Sequence, residues 1–143
     1  MSFANPSHDE ICDQLAQVRT IAVVGLSPKE NRPSFRIARA MQQAGFRIIP
    51  VRPLAGMVLG ETAYSQLSQV PGPVDLVNVF RAAAHVDAIV DDCIAQGIRR
   101  LWIQEGIVNE PAALRARAAN IWVVMDRCIW RDYAGLCLPR RIA

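Results

Sequence analysis

The sequence predicts a single α/β domain over residues 1–143, doubly wound, with a five-stranded, mostly parallel sheet and helices on both faces. Short apolar runs of strand length alternate along the chain with segments whose apolar residues recur every three or four positions. This alternation is typical of βαβ units, in which helices cover a parallel sheet. The composition, 52% hydrophobic and 20% charged in 143 residues, suits one domain with a substantial core.

The first half of the chain carries two predicted strands set between helices. Ser7 and Glu10 have the spacing of a capping box, which marks the start of a helix. Pro33 is typical of a first helical turn, and Gly45 is typical of a helix end. The predicted elements are, in order, a helix over 8–18, a strand at Ile21–Gly25, a helix from Pro33 or Ser34 to Gly45, a strand at Arg47–Val51 and a short helix over 62–68.

The second half continues the alternation. Val77, Val79 and Phe80 indicate a deeply buried third strand, and Gly97 ends the helix that follows. The tail from Asp126 is predicted to be partly helical and then frayed. Across the sheet we expect the strand order 3-2-1-4-5, a common doubly wound arrangement. The predicted elements are strands at Val74–Phe80, Arg100–Gln104 and Ile121–Met125, with helices over 86–97 and 110–119.

Cations follow four of the five predicted strands, at the edge where such sheets bind ligands. The glycine turn into the second helix also directs backbone N–H groups and the positive end of a helix dipole to this edge. Converging arginine and lysine side chains suit a ligand with more than one phosphate. The residues beyond the strands are, in order, Gly25, Ser27, Lys29, Arg32 and Ser34; Arg52; Arg81; Gln104, Glu105 and Gly106; and Asp126, Arg127 and Cys128.

The glycine loop departs from the dinucleotide-binding pattern G-x-G-x-x-G. Gly25 takes the first glycine position, but Ser27 and Glu30 occupy the next two. The acidic residue that holds the ribose of NAD is missing, and Arg52 lies at the end of the second strand instead. These features argue against NAD and for a ligand with a phosphate on its ribose, such as NADP or coenzyme A. The pattern of a P-loop NTPase is also absent.

Ordered blocks of the sequence resemble the small stand-alone CoA-binding proteins of bacteria and archaea. The blocks are GLSPKENRPS, IIPVRP, VNVFR, IQEGIVNE and VVMDRC, and the resemblance covers residues 8–135. Those proteins are Rossmann-like domains related to the CoA-binding domain of the succinyl-CoA synthetase α subunit. The resemblance implies a domain that binds coenzyme A or acyl-CoA.

The resemblance also implies which residues bind coenzyme A. Arg52 departs from the family, because it stands where the pattern V-N-P has asparagine. It is expected either to strengthen a phosphate contact or to alter the nucleotide geometry. The implied set is the first loop, which would hold phosphates (Gly25, Leu26, Ser27, Lys29, Arg32, Ser34 and Phe35), then Arg52 and Pro53, then Val79, Phe80 and Arg81, and last Ile103, Gln104 and Glu105.

No residue of the chain is predicted to be catalytic or to bind a metal. The two histidines lie in a terminal segment that we expect to fray (His8) and near a helix start (His85). Glu105 is open to two interpretations, a general base or a hydrogen-bond partner of the ligand. Asp126 and Arg127 are expected to form a structural ion pair or to anchor the C-terminal helix. The synthetase relatives use a phosphorylated histidine in a second domain, which these 143 residues do not include.

Two other functions stay open, an NADP-dependent oxidoreductase and a CoA-transfer component that needs a partner subunit. The net charge of +3 is too mild to indicate nucleic acid as a partner. No apolar run approaches the ~18 residues of a membrane span, so no membrane partner is expected. The cysteines form no C-x-x-C pair, so we expect neither zinc nor disulfides but reduced thiols in a cytoplasmic protein. The oligomeric state is not predicted.

Overall fold

The computed structural model describes residues 2–54 and 56–142 and contains the predicted parallel sheet. Each of the five predicted strands is present, with ends within two residues of those predicted. All neighbouring pairs of this sheet run parallel. The strands are β1 (Thr20–Val24), β2 (Arg47–Val51), β3 (Met57–Val58), β4 (Glu61–Thr62), β5 (Leu76–Val79), β6 (Arg100–Gln104) and β7 (Trp122–Arg127), of which β3 and β4 form a separate antiparallel hairpin.

The strand order across the sheet is β2-β1-β5-β6-β7, so the predicted order 3-2-1-4-5 is wrong. The third strand of the sheet, β5, pairs with β1 and leaves β2 at the edge. Pro50 in β2 gives the physical reason. Proline has no backbone N–H to donate, so within sheets it is confined to edge strands and bulges. The predicted order would have placed the strand that contains Pro50 between two other strands, where its backbone N–H would be needed for pairing.

Helices cover both faces of the sheet. Side chains of β1 alternate between the faces, with Ile21 and Val23 in one core and Ala22 in the other. No helix among the described residues is long and apolar enough to cross a membrane. The first face carries α1 (His8–Leu15), α2 (Pro33–Gln43) and the C-terminal α5 (Ile129–Asp132) and α6 (Leu138–Ile142), joined by a π-helical turn at Tyr133–Cys137, and the second carries α3 (Val86–Ala95) and α4 (Glu110–Ala118).

The short helix predicted over 62–68 is wrong. The chain forms the β3–β4 hairpin there, returns along β2 through a bridge between Val51 and Tyr64, and makes only one 3₁₀ turn at Leu67–Gln69. The Gln69 side chain accepts hydrogen bonds from the backbone N–H (3.2 Å) and hydroxyl (2.7 Å) of Ser65. This local bonding competes with a helical ladder, so the segment remains irregular.

The described terminal segments are held in place, contrary to the expected fraying. The Asn5 side chain donates to the Met125 carbonyl and accepts from the Met125 N–H, each at 2.8 Å. The Arg117 guanidinium lies 4.2 Å from the centre of the Phe3 ring. His8 is the first residue of α1, and α6 continues to Ile142.

A disulfide joins Cys12 in α1 to Cys137 in the π-helical turn, so the expectation of reduced thiols is wrong for this pair. Their Cα atoms are 5.3 Å apart, within the usual range for a disulfide. The two cysteines are 125 residues apart in sequence, which spacing patterns cannot relate. Cys93 and Cys128 are free and buried, and burial raises the pKa of the Cys93 thiol to about 12.

Candidate functional site

The turn after β1 depends on Gly25. Its φ of +90° is one that L side chains rarely adopt. A Cβ at this position would lie 2.8 Å from the Phe80 carbonyl oxygen and 2.9 Å from Cδ of Arg81. Its N–H donates to the carbonyl of Val51 at 2.9 Å. The residues that follow β1, β2 and β5 therefore approach one another closely at this glycine.

The loop after Gly25 is held by two serine hydroxyls. The Ser27 N–H donates to Oγ of Ser34 (3.0 Å), and the Lys29 N–H donates to Oγ of Ser27 (3.1 Å). The helix α2 begins next, with Arg32 at the N-cap, no side-chain capping hydrogen bond and no acidic residue in the first turn. Because first-turn N–H groups lack partners within the helix and lie at the positive end of its dipole, this N-terminus can accept an anion.

An open cleft of about 610 Å³ lies over these strand ends, and we call it the cation cleft. Its four basic side chains come from three separate segments, the first loop and the residues after β2 and β5. The described residues that line it include no carboxylate, so the basic side chains create a positive field. The lining residues are Gly25, Leu26, Ser27, Pro28, Lys29, Arg32, Pro33, Ser34, Arg52, Pro53, Phe80 and Arg81.

The structure brings most of the predicted site residues together in this cleft, but not all of them. Phe35, Val79 and Ile103 lie in the hydrophobic core instead, with exposed fractions of 8%, 0% and 0%. Each lies within two residues of an exposed or half-buried residue, which is why sequence blocks could not separate them. Two further lining residues, Pro28 and Pro33, lie between the predicted ones and were missed.

Gln104 and Glu105, at the end of β6, do not line the cation cleft. Gln104 is buried, and its side-chain oxygen accepts from Nδ2 of Asn78 (3.3 Å) and from the N–H of Ile129 (3.4 Å). Glu105 is exposed and paired with Arg131 at 2.6 Å. The hydrogen bond from Arg131 lowers the pKa of the Glu105 carboxyl below its ordinary value. Both side chains are thus engaged with α5.

At the end of β7, Arg127 forms a structural ion pair with Asp132 of α5 rather than with Asp126. Arg127 binds Asp132 through two hydrogen bonds of 2.6 and 2.8 Å, and the Asp132 carboxylate is buried. This hydrogen-bonded carboxylate raises the pKa of Arg127. Asp126 instead accepts from the N–H of Gly106 at 2.8 Å. Arg127 therefore anchors the C-terminal helices to the sheet.

Known proteins resemble this chain over most of its length. Residues 19–134 match the family model of the CoA binding domain. The uncharacterised protein YneT of Bacillus subtilis is 40% identical over 125 residues, which are 87% of this chain and 93% of that protein. A hypothetical protein from Pyrococcus horikoshii OT3 superposes with a TM-score of 0.88 at 26% identity, covering 95% of this chain and 99% of that one.

A much larger protein shares only a segment with this chain. The ADP-forming acetate–CoA ligase II of Archaeoglobus fulgidus is 30% identical over 83 residues, which are 57% of this chain but 12% of the ligase. The family match includes β1 to β7 and every basic residue of the cation cleft. The chain therefore belongs to the CoA-binding domain family.

Proposed function

We propose that this protein binds coenzyme A, free or acylated, in the cation cleft and performs no chemistry on it alone. The observation that carries the proposal is the convergence of Lys29, Arg32, Arg52 and Arg81 beside an uncapped helix N-terminus, with no carboxylate among the described lining residues. Coenzyme A has a diphosphate and a phosphate on its ribose, so it presents anions at two separated points. Charge-assisted hydrogen bonds to such groups are the strongest that these side chains can make.

The two ends of the cleft suit the two phosphate groups differently. The N-terminus of α2, with Lys29 beside it, combines N–H donors and a cation and is the place proposed for the diphosphate. Arg52 lies after β2, where the ribose of a bound nucleotide would lie, and is the proposed partner of the ribose phosphate. Nη1 of Arg52 donates to the carbonyl of Leu54 at 3.2 Å, which leaves its other guanidinium donors for a ligand.

The proposed absence of catalysis is supported by the surroundings of Glu105, the carboxylate that the sequence left open as a general base. Glu105 is paired with Arg131, and its lowered pKa makes it a weaker proton acceptor. It also lies outside the cation cleft. The similarity to a segment of an acetate–CoA ligase favours one second candidate, a CoA-transfer component that works with a partner subunit.

Isothermal titration with coenzyme A, dephospho-coenzyme A and NADP⁺ tests the proposal. We expect coenzyme A to bind with a micromolar Kd, about −8 kcal/mol, and dephospho-coenzyme A to bind more weakly because it lacks the phosphate assigned to Arg52. No binding of coenzyme A would overturn the proposal. Tighter binding of NADP⁺ than of coenzyme A would favour an oxidoreductase instead.

A further inference from the structure

A small cavity of about 200 Å³ lies against the Cys12–Cys137 disulfide, between α1 and the C-terminal helices. We call it the disulfide cavity. None of its lining residues lines the cation cleft, so the two are separate features of the fold. The lining residues are Cys12, Asp13, Ala16, Tyr133, Cys137 and Arg140.

The two cysteines of the disulfide differ in exposure. Cys12 is half-buried in α1, whereas Cys137 is only 4% exposed. Disulfide exchange begins when a thiolate attacks one of the two sulfurs, and its rate depends on access to that sulfur. A thiol that enters the disulfide cavity is therefore expected to attack Sγ of Cys12 rather than Sγ of Cys137.

Two opposite charges line the cavity on either side of the disulfide. Asp13 follows Cys12 in α1, Arg140 belongs to α6, and both are exposed. Nη2 of Arg140 pairs with Asp9 at 2.8 Å, which leaves other guanidinium donors for a ligand. The cavity thus offers a cation to a carboxylate and a carboxylate to an ammonium group.

The size of the cavity limits the thiol that it can accept. Pockets for drug-sized ligands measure roughly 300–1,000 Å³, so a cavity of about 200 Å³ suits a compound of amino-acid size. A nucleotide such as coenzyme A is too large for it. Together, the two charges and the volume match a small zwitterion.

We propose that the disulfide cavity is a thiol-exchange site for a small amino-acid thiol, of the chemical class of cysteine. The thiolate of this compound forms a bond to Sγ of Cys12, and the bond between Cys12 and Cys137 breaks. The electron pair of the broken bond passes to Sγ of Cys137, which takes a proton from water. The protein gains one thiol molecule as a mixed disulfide on Cys12, and no further oxidant or reductant takes part.

The exchange would remove the covalent link between α1 and the π-helical turn. The two free cysteines are less suited to such a reaction. Cys93 and Cys128 are both buried and do not line the disulfide cavity. Since the thiolate is the reactive form, the raised pKa of Cys93 also keeps that residue unreactive.

The test follows the reaction of the protein with L-cysteine and, separately, with 2-mercaptoethanol, a small thiol that has neither an ammonium nor a carboxylate group. Samples are quenched with acid at intervals and analysed by intact-protein mass spectrometry and peptide mapping. Arg140→Gln removes the proposed partner of the carboxylate, and Asp13→Asn removes the proposed partner of the ammonium group. Asp9→Asn is the matched control, because it breaks the ion pair with Arg140 but keeps Arg140, and Asp9 does not line the cavity. All three positions are exposed, so the variants are expected to fold.

We expect the first product to carry one L-cysteine on Cys12 and to gain the mass of the whole molecule. The rate with L-cysteine divided by the rate with 2-mercaptoethanol should fall roughly threefold to fivefold in Arg140→Gln and in Asp13→Asn, in keeping with the modest strength of exposed charge pairs. It should stay unchanged in Asp9→Asn. Both thiols attack as thiolates, so this ratio cancels the general effect of a nearby charge on a thiolate.

An equal ratio in the unaltered protein and all three variants would overturn the proposal, because the cavity would then not recognise an amino-acid thiol. A disulfide that reacts with neither thiol, or a first adduct on a cysteine other than Cys12, would overturn it as well. A faster reaction with coenzyme A than with L-cysteine would contradict the class of thiol assigned to the cavity. None of these outcomes bears on the proposed function, which titration of the cation cleft tests separately.

Discussion

Arg81 packs against Gly25, in space that a side chain at that position would need. The space that a Cβ of Gly25 would occupy is taken by the Phe80 carbonyl and by the aliphatic part of Arg81. Arg81 also lines the cation cleft, so the same contact positions one of its basic side chains. A single glycine therefore supports both the backbone turn and the placement of a proposed ligand-binding cation.

Gly25→Ala is expected to destabilise the fold by roughly 1–3 kcal/mol, the usual cost of a strained backbone position, and to weaken coenzyme A binding as well. Gly45→Ala is the matched control, since Gly45 also has a positive φ (+110°) but nothing lies within 4 Å of its added Cβ. Urea unfolding measures how far each substitution lowers the stability of the fold, and titration measures its effect on coenzyme A affinity. Only Gly25→Ala adds a Cβ that would clash with Phe80 and Arg81, so the difference between the two variants reports on that clash. Equal effects of the two substitutions on coenzyme A affinity would contradict the role given to the contact with Arg81.

Lys29→Ala and Arg81→Ala are each expected to weaken coenzyme A binding by roughly 1.5–3 kcal/mol, the value of a hydrogen bond to a charged group. The fold should be unaffected, because Lys29 is exposed and Arg81 only half-buried. Arg99→Ala serves as the control, since Arg99 is an exposed arginine that precedes β6, at the opposite end of the strands. Titration calorimetry gives the affinities, and unchanged binding in both cleft variants would remove the phosphate-binding model.

At the scale of elements, two of the contacts that hold the C-terminal helices differ in how far the sequence reveals them. The Arg127–Asp132 ion pair joins β7 to α5 across five residues, so its residues could be suspected from the sequence. The Cys12–Cys137 disulfide joins α1 to the π-helical turn, and its cysteines become neighbours only after the sheet has brought the chain ends together. Local motifs are readable in a sequence, whereas contacts made by the completed fold are not.

Reduction of this disulfide is expected to lower the free energy of unfolding by about 2–5 kcal/mol, because the bond closes a very long loop in the unfolded chain. The expected result is a lower urea midpoint in the presence of dithiothreitol. The double variant Cys12→Ser with Cys137→Ser should be equally destabilised and should not respond to reductant. A midpoint of the unaltered protein that does not change on reduction would show that the bond contributes nothing to stability.

At the scale of the whole molecule, the positions of the strands were predictable, whereas their order in the sheet was predicted wrongly. Apolar runs bounded by glycine and proline located all five strands of the sheet, because burial on both faces leaves a strong pattern. The order depends on which strands pair, and only Pro50 carried a signal for it, as a mark of an edge strand. The cation cleft was predictable for the same reason as the strands, since its basic residues directly follow them.

The three predicted site residues that lie in the hydrophobic core occupy similar places in the fold. Phe35, Val79 and Ile103 lie within one residue of a strand end or in the first turn of a helix, where the chain passes from core to surface. A one-residue step in a strand reverses the direction of the side chain, and a sequence block does not say which residue faces the ligand. Three-dimensional placement was needed to make that distinction.

Coenzyme A is expected to raise the melting temperature of the whole protein, because a ligand that binds only the folded state stabilises it by mass action. At 100 times the Kd the gain is about 2.7 kcal/mol, and for a chain of this size that corresponds to roughly 10 °C. Differential scanning fluorimetry over a range of coenzyme A concentrations measures the shift. The Lys29→Ala/Arg81→Ala double variant should show a much smaller shift, and an equal one would indicate binding elsewhere.

The side chain of Asn5 has a consequence for how copies of this protein meet in concentrated solution. At the edge strand β7, the backbone N–H and carbonyl of Met125 would otherwise be free to pair with a strand of another molecule. The Asn5 side chain forms hydrogen bonds with both groups. A strand of another molecule would have to displace the Asn5 side-chain amide before it could pair with β7 at this position. One short side chain near the amino terminus thus keeps the backbone of Met125 from pairing with a strand of another molecule.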